Sequence, residues 1–149
     1  YALNSLVGED KQRLIGSHEG PANQIASFPA GDRIVTVGAD KIMKIWAMPD
    51  GRLQREIDVD AVDSSVEGLY SVAVSPDGKW LATGSDEVLL WNAESGDLML
   101  TLHVDMLHVD TDPVFVGSVV FSGDGKRIFA KSDALSVQVW DSTPIRRLF

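Results

Sequence analysis

Cysteine is absent from the 149 residues, which removes disulfide frameworks, thiolate metal sites and cysteine nucleophiles from consideration and leaves the redox compartment open. Basic charge is scarce: 13 Lys and Arg stand against 22 Asp and Glu, a formal net charge of −9. Affinity for phosphates rests on clustered Lys and Arg, so this balance argues against a nucleic-acid partner. It suits cationic or neutral partners instead. No apolar run approaches the roughly 18 residues needed to cross a bilayer, and no signal peptide opens the chain, so no membrane partner is expected. The first residue is Tyr1 rather than Met; the expectation is a piece of a longer chain or a processed product. A nucleophile elbow, a phosphate-binding glycine loop and a paired-carboxylate site are all missing. The chain is accordingly expected not to be an enzyme and to need no cofactor.

What is present is a repeat, the first thing to look for in a chain of this kind. Three segments line up: "IASFPAGDRIVTVGADKIMKIW", "VAVSPDGKWLATGSDEVLLW" and "VVFSGDGKRIFAKSDALSVQVW". They end at Trp46, Trp91 and Trp140, which fall 45 and 49 residues apart. That is close to the roughly 40–45 residues of a four-stranded propeller blade. In the second unit, residues 71–75 alternate at the two-residue period of a strand. Pro76-Asp77-Gly78 then makes a tight turn, Pro by fixing φ and Gly by tolerating a positive one. Residues 80–83, 88–91 and 98–102 supply three more strands, punctuated by Ser85-Asp86 and Ser95-Gly96-Asp97. Short strands, turn residues and no helical period indicate an all-β antiparallel meander.

The same reading divides the chain into four parts. Residues 1–15 hold a remnant of a preceding blade, with its outer strand at residues 11–15. Blade one spans 16–57, with strands from residue 22 onward. Blade two spans 58–102 behind an acidic lead-in loop, and blade three spans 103–149 behind an extended one. Propellers use about 4–8 blades, and three cannot close a ring because two blade faces stay bare. The remaining blades are expected from the same longer chain or from another subunit.

These residues resemble the WD40 repeat family over almost the whole chain, and "SPDGKWLATGS" looks like the strand-turn-strand core of its repeats in a form common among bacterial members. The resemblance implies a hydrogen-bonded chain within each blade, running from a His through a Ser or Thr and an Asp to the Trp. His18, Thr36, Asp40 and Trp46 match that pattern in blade one. Blade two keeps Thr83, Asp86 and Trp91, with Ser65 where the His falls and a turn one residue shorter. Blade three keeps Trp140 followed by Asp141, with a displaced Asp133, Ala130 replacing the hydroxyl and Asp112 replacing the His. A His, an Asp and a hydroxyl together also suggest a Ser–His–Asp arrangement, but buried polar groups usually just satisfy each other, so a stapling role is expected.

Two loops joining blades are long and fall on one rim. Residues 58–67 carry Asp58, Asp60, Asp63 and Glu67; residues 103–112 carry Asp105, Asp110 and Asp112. One reading is a solvated rim. The sharper one is a docking surface for a basic peptide or protein. "LHVDMLHVDT" resembles a metal site, but in a strand His103 and His108 point to opposite faces, and "DVDAVD" lacks the Gly and closing Glu of a calcium loop. Family analogy adds Asn23, Tyr70, Gly117, Ala39, Ser85 and Ser132 as positions that touch partners. Tyr70 is an aromatic with a polar tip, suited to anchoring an interface.

Three functions compete. A non-catalytic protein–protein interaction scaffold is the primary expectation. The alternative is an accessory propeller of a larger enzyme whose catalytic part lies outside this chain. A propeller enzyme with a site in its channel needs convergent polar residues at the inner strands, where blades two and three offer mainly Val, Ala and Phe.

Overall fold

A computed structural model describes residues 12–104, 115–132 and 136–141. Blade one is a four-stranded antiparallel sheet in the order β1 (Ala22–Ser27), β2 (Arg33–Gly38), β3 (Ile42–Ala47), β4 (Arg52–Asp58). Blade two repeats it as β5 (Ser71–Val74), β6 (Trp80–Gly84), β7 (Val88–Asn92) and β8 (Leu98–Leu102). The described part of blade three is β9 (Val116–Phe121), β10 (Arg127–Ser132) and β11 (Val137–Asp141). The helical content among the described residues is one turn, α1 (Val59–Val62), at the exit of β4.

The inner hairpins of blades two and three are set by one repeated device. Asp77 Oδ1 accepts hydrogen bonds from Ser75 Oγ (2.6 Å) and the Lys79 N–H (3.0 Å), while Ser75 Oγ accepts from the Trp80 N–H (3.0 Å). Ser122, Asp124, Lys126 and Arg127 reproduce the set at 2.6, 3.0 and 3.0 Å. Gly78 and Gly125 follow at φ 71° and 70°, where a side chain would be strained. The Ser122 hydroxyl and the Lys126 N–H hold the Asp124 carboxyl below its ordinary value.

Blade two lies between the other two, β5 packing on both β1 and β9. Successive residues of a strand point to opposite faces, so its apolar runs serve two cores. Val72, Leu81, Leu89 and Trp91 join Val35, Val37, Met43 and Ile45 in the core shared with blade one. Ala73, Ala82, Val88 and Leu90 join Val116, Val119, Ile128 and Ala130 in the core shared with blade three. This explains why Val88 to Trp91 are all buried: a strand covered on both faces reads as a continuous apolar run rather than an alternation.

The outer faces differ. Val120 and Val139 both pair with Phe129 and form a cross-strand row turned away from blade two; Val120 is 50% exposed, Val139 55% and Val137 73%. On blade one, Ile25 is 61% exposed, but the rest of that face is partly covered by residues 15–18. Gly16 lies against the Trp46 ring so closely that a methyl group there would overlap it, and the Lys44 ammonium donates to the Ser17 carbonyl (2.8 Å).

The expected outer strand at residues 11–15 is not found: Lys11 lies outside the described residues, and 12–15 form no strand. A strand needs a neighbour to share its N–H and C=O groups; this segment instead seats Ile15 against Gly51 and Gly16 against Trp46.

Candidate functional site

Two places gather the residues singled out by the sequence: the polar chain inside blade one and the rim that carries α1.

In blade one the Trp46 indole N–H donates to Thr36 Oγ1 (3.0 Å), and His18 Nε2 lies 2.8 Å from the same oxygen. His18 Nδ1 lies 3.0 and 2.9 Å from the two Asp40 oxygens. With the ring proton on Nδ1, every group is satisfied in sequence: Trp46 donates to Thr36, Thr36 to His18, and His18 to Asp40. Asp40 also accepts from the N–H groups of Glu19 (3.1 Å) and Ile42 (3.2 Å). Burial acts to raise its pKa; the His18 hydrogen bond and the two backbone donors outweigh that and lower it. The chain binds the 12–18 segment to the β2–β3 hairpin. Both side chains are nearly closed to solvent, His18 at 3% and Asp40 at 8%, so the geometry suits stapling.

Blade two departs from this plan. Trp91 Nε1 donates to Thr83 Oγ1 (2.9 Å), but the carboxylate is elsewhere, since Asp86 accepts from the Ser85 hydroxyl (3.0 Å). Register explains it. Thr36 pairs with Lys44 and Thr83 with Leu89, so the second hairpin is shorter by two residues, not the one expected, and Asp86 cannot take the place of Asp40. Ser65 is exposed and serves the loop, donating its hydroxyl to Asp63 (2.6 Å). In blade three Trp140 is half-buried against the second core and Ala130 is buried in it; Asp112 and Asp133 lie outside the described residues.

The rim residues fall into distinct duties. Asp58 ends β4 and caps α1, accepting from the Ala61 N–H (3.4 Å). Asp63 accepts from the Ser65 N–H (3.0 Å) as well as its hydroxyl. Asp60 is exposed and accepts from the Lys41 ammonium (2.9 Å). Glu67 is exposed. The hydrogen bond to Asp60 raises the Lys41 pKa, and the charges of Asp60, Glu67 and Asp58 add to it. Across the same rim Glu87 accepts from the Val104 N–H (2.8 Å), and its other oxygen lies 3.2 Å from His103 Nδ1. Lys41 and Glu87 were not among the expected residues, although both sit in turns that share this rim; the topology was the signal that points to them. Asp105, His108, Asp110 and Asp112 lie outside the described residues. Among the described residues no group of three His, Asp or Glu is placed to hold a metal ion.

The remaining candidates divide by exposure. Asn23 donates to the Leu69 carbonyl (2.7 Å) and the Val72 N–H donates to Gln24 Oε1 (2.7 Å), both bonds tying blade one to blade two. Tyr70 is half-buried with its ring edge-on to Phe115 (centroids 4.7 Å apart). Ala39 and Gly117 are exposed. Ser85 and Ser132, expected on the partner-facing rim, are instead buried, 0% and 3% exposed. Each spends its hydroxyl inside its own hairpin, Ser85 on Asp86 and the Glu87 carbonyl, Ser132 on Ser136.

The model of the WD domain, G-beta repeat, matches residues 9–47 and 62–91. The small ribosomal subunit protein RACK1y of Oryza sativa subsp. japonica is 27% identical over 124 residues, covering 83% of this chain and 35% of that protein. Eukaryotic translation initiation factor 3 subunit I of Coccidioides immitis is 33% identical over 122 residues, covering 80% of this chain and 32% of that protein. The chain thus spans about a third of the length of these curated relatives. The crystal structure of the RRP9 WD40 repeats superposes with a TM-score of 0.76 at 24% identity, covering 89% of this chain and 38% of that one. Repeat spacing, blade topology and these likenesses together identify the chain as a WD40-repeat protein folded as β-propeller blades.

Proposed function

We propose that this chain is a non-catalytic part of a protein-interaction scaffold, and that the rim carrying α1 docks a basic peptide or protein segment. The observation that carries the reading is the exposed carboxylate group of that rim. Asp58, Asp60 and Glu67 are exposed, Asp63 and Glu87 half-exposed, and Lys41 is paired with Asp60 (2.9 Å) and lies in the field of Glu67 and Asp58. Charges so arranged steer an oppositely charged partner and select against acidic ones. Two relatives support a role in assemblies, being named as a ribosomal subunit protein and an initiation factor subunit. The His18–Asp40 pair is nearly closed to solvent, His18 at 3% and Asp40 at 8%, which supports a stapling role for it. The exposure of Val120, Val137 and Val139 on blade three among the described residues supports the companion reading that further blades, from a longer chain or another subunit, pack there.

Calorimetric titration with a lysine-rich peptide tests the docking rim. Neutralising three carboxylates together (Asp58→Asn, Asp60→Asn, Asp63→Asn) should weaken binding by about threefold to a hundredfold and flatten its salt dependence, at roughly 0.2–1 kcal/mol per exposed charge. Unchanged affinity in the triple variant overturns the assignment.

A further inference from the structure

At the end of the blades opposite α1, a cleft of about 690 Å³ opens between blades one and two. Its floor is apolar, made by Ile45 and Ala93, which are 1% and 3% exposed. Trp80, half-buried, forms part of one wall. Arg33, Arg55 and Lys79 bring three cations to it, in a chain whose net charge is −9.

These cations are not equivalent. Arg33 is committed, its guanidinium 4.0 Å from the Phe28 ring centroid and 3.9 Å from Asp32. Arg55 is held across the blade boundary by carbonyls alone, donating to Ser95 O and Glu94 O at 2.8 Å each. Carbonyls fix a guanidinium in place without cancelling its charge. Lys79 is exposed, and its ammonium makes no hydrogen bond or ion pair among the described residues; no described carboxylate lies within 4 Å of either cation. Two carboxylates also line the cleft. That of Asp77 is engaged by Ser75 and the Lys79 N–H, while Glu94 is exposed.

We propose that this cleft seats an acidic, partly apolar peptide segment, with a carboxylate at Arg55 and Lys79 and hydrocarbon against Trp80 and the Ile45–Ala93 floor. A preset guanidinium fork matches a carboxylate in two parallel hydrogen bonds. The flanking Asp77 and Glu94 disfavour a dianion, which selects a carboxylate over a phosphate. Clefts of this size take a few side chains rather than a broad partner surface. The site is independent of the acidic rim, which lies at the other end of the blades and favours ligands of opposite charge.

Titration of the chain with a labelled peptide of alternating Glu and Leu tests it, beside the same peptide with Gln for Glu. The Glu peptide should bind about two- to fivefold more tightly, the scale of one exposed charge pair. Lys79→Glu, which removes no bond that the fold uses, should weaken it by the same factor or more. Lys126→Glu, on an exposed turn of blade three outside the cleft, should leave it unchanged. Trp80→Phe should abolish the change in tryptophan fluorescence on binding. Equal affinity for the two peptides, equal behaviour of the Lys79 and Lys126 variants, or no binding at all overturns the proposal.

Discussion

The hydroxyl of Thr36 serves two partners at once, accepting from Trp46 and contacting His18. Thr36→Val keeps the shape and removes the oxygen, leaving an indole N–H and an imidazole nitrogen without a partner. The expected loss is about 1–3 kcal/mol in urea unfolding, the usual cost of orphaned buried polar groups, with Thr36→Ser retaining most of the stability. Asp40 supplies the pH dependence of the same chain. Its folded pKa lies below the ordinary 3.8, so its stabilisation is present above that value and is lost as pH falls through the folded pKa. Asp40→Asn should therefore lower the urea midpoint at pH 7 and flatten the decline below about pH 4. A variant whose acid limb matches the parent would contradict that role.

The strands and inner turns were legible because a two-residue apolar period and Ser-x-Asp-Gly-Lys turns are local signals, and β6, β7 and β8 fall where those signals place them. In the β6–β7 hairpin, sequence order matches Asp86 to Asp40, whereas strand pairing matches Thr83 and Trp91 to Thr36 and Trp46. Burial of Ser85 and Ser132 depends on how each hairpin closes on itself, which sequence spacing does not encode. The ties between inner strands were equally hidden, since Asn23 and Gln24 bond residues 46 and 48 positions away. Ser71 makes the corresponding tie to blade three, donating to the Val116 carbonyl (2.9 Å). Gly84 leaves room for that bond, because a methyl group there would overlap Ser71 Oγ and crowd the Val116 carbonyl. Gly84→Ala should cost about 1–3 kcal/mol by thermal or urea unfolding. Gly117→Ala, with nothing within 4 Å of the new methyl, should stay within about 0.5 kcal/mol of the parent.

Among the described residues, blade two is covered on both faces, blade one on one face and partly on the other by residues 15–18, and blade three on one face. That asymmetry follows from the sequence of β7, Val88-Leu89-Leu90-Trp91, which alternates its side chains between two cores. On blade three, Val120, Phe129 and Val139 line up with no sheet opposite them among the described residues. As proposed, these blades are a section of a larger β-structure, completed by further blades or a second subunit packing on the exposed faces. Light scattering coupled to size-exclusion chromatography, run on the 149-residue chain alone, tests it most directly. Self-association beyond the 16.2 kDa of one chain is expected, reduced when Val120 and Val139 are both changed to Thr. A monodisperse, stably folded 16.2 kDa monomer would contradict it.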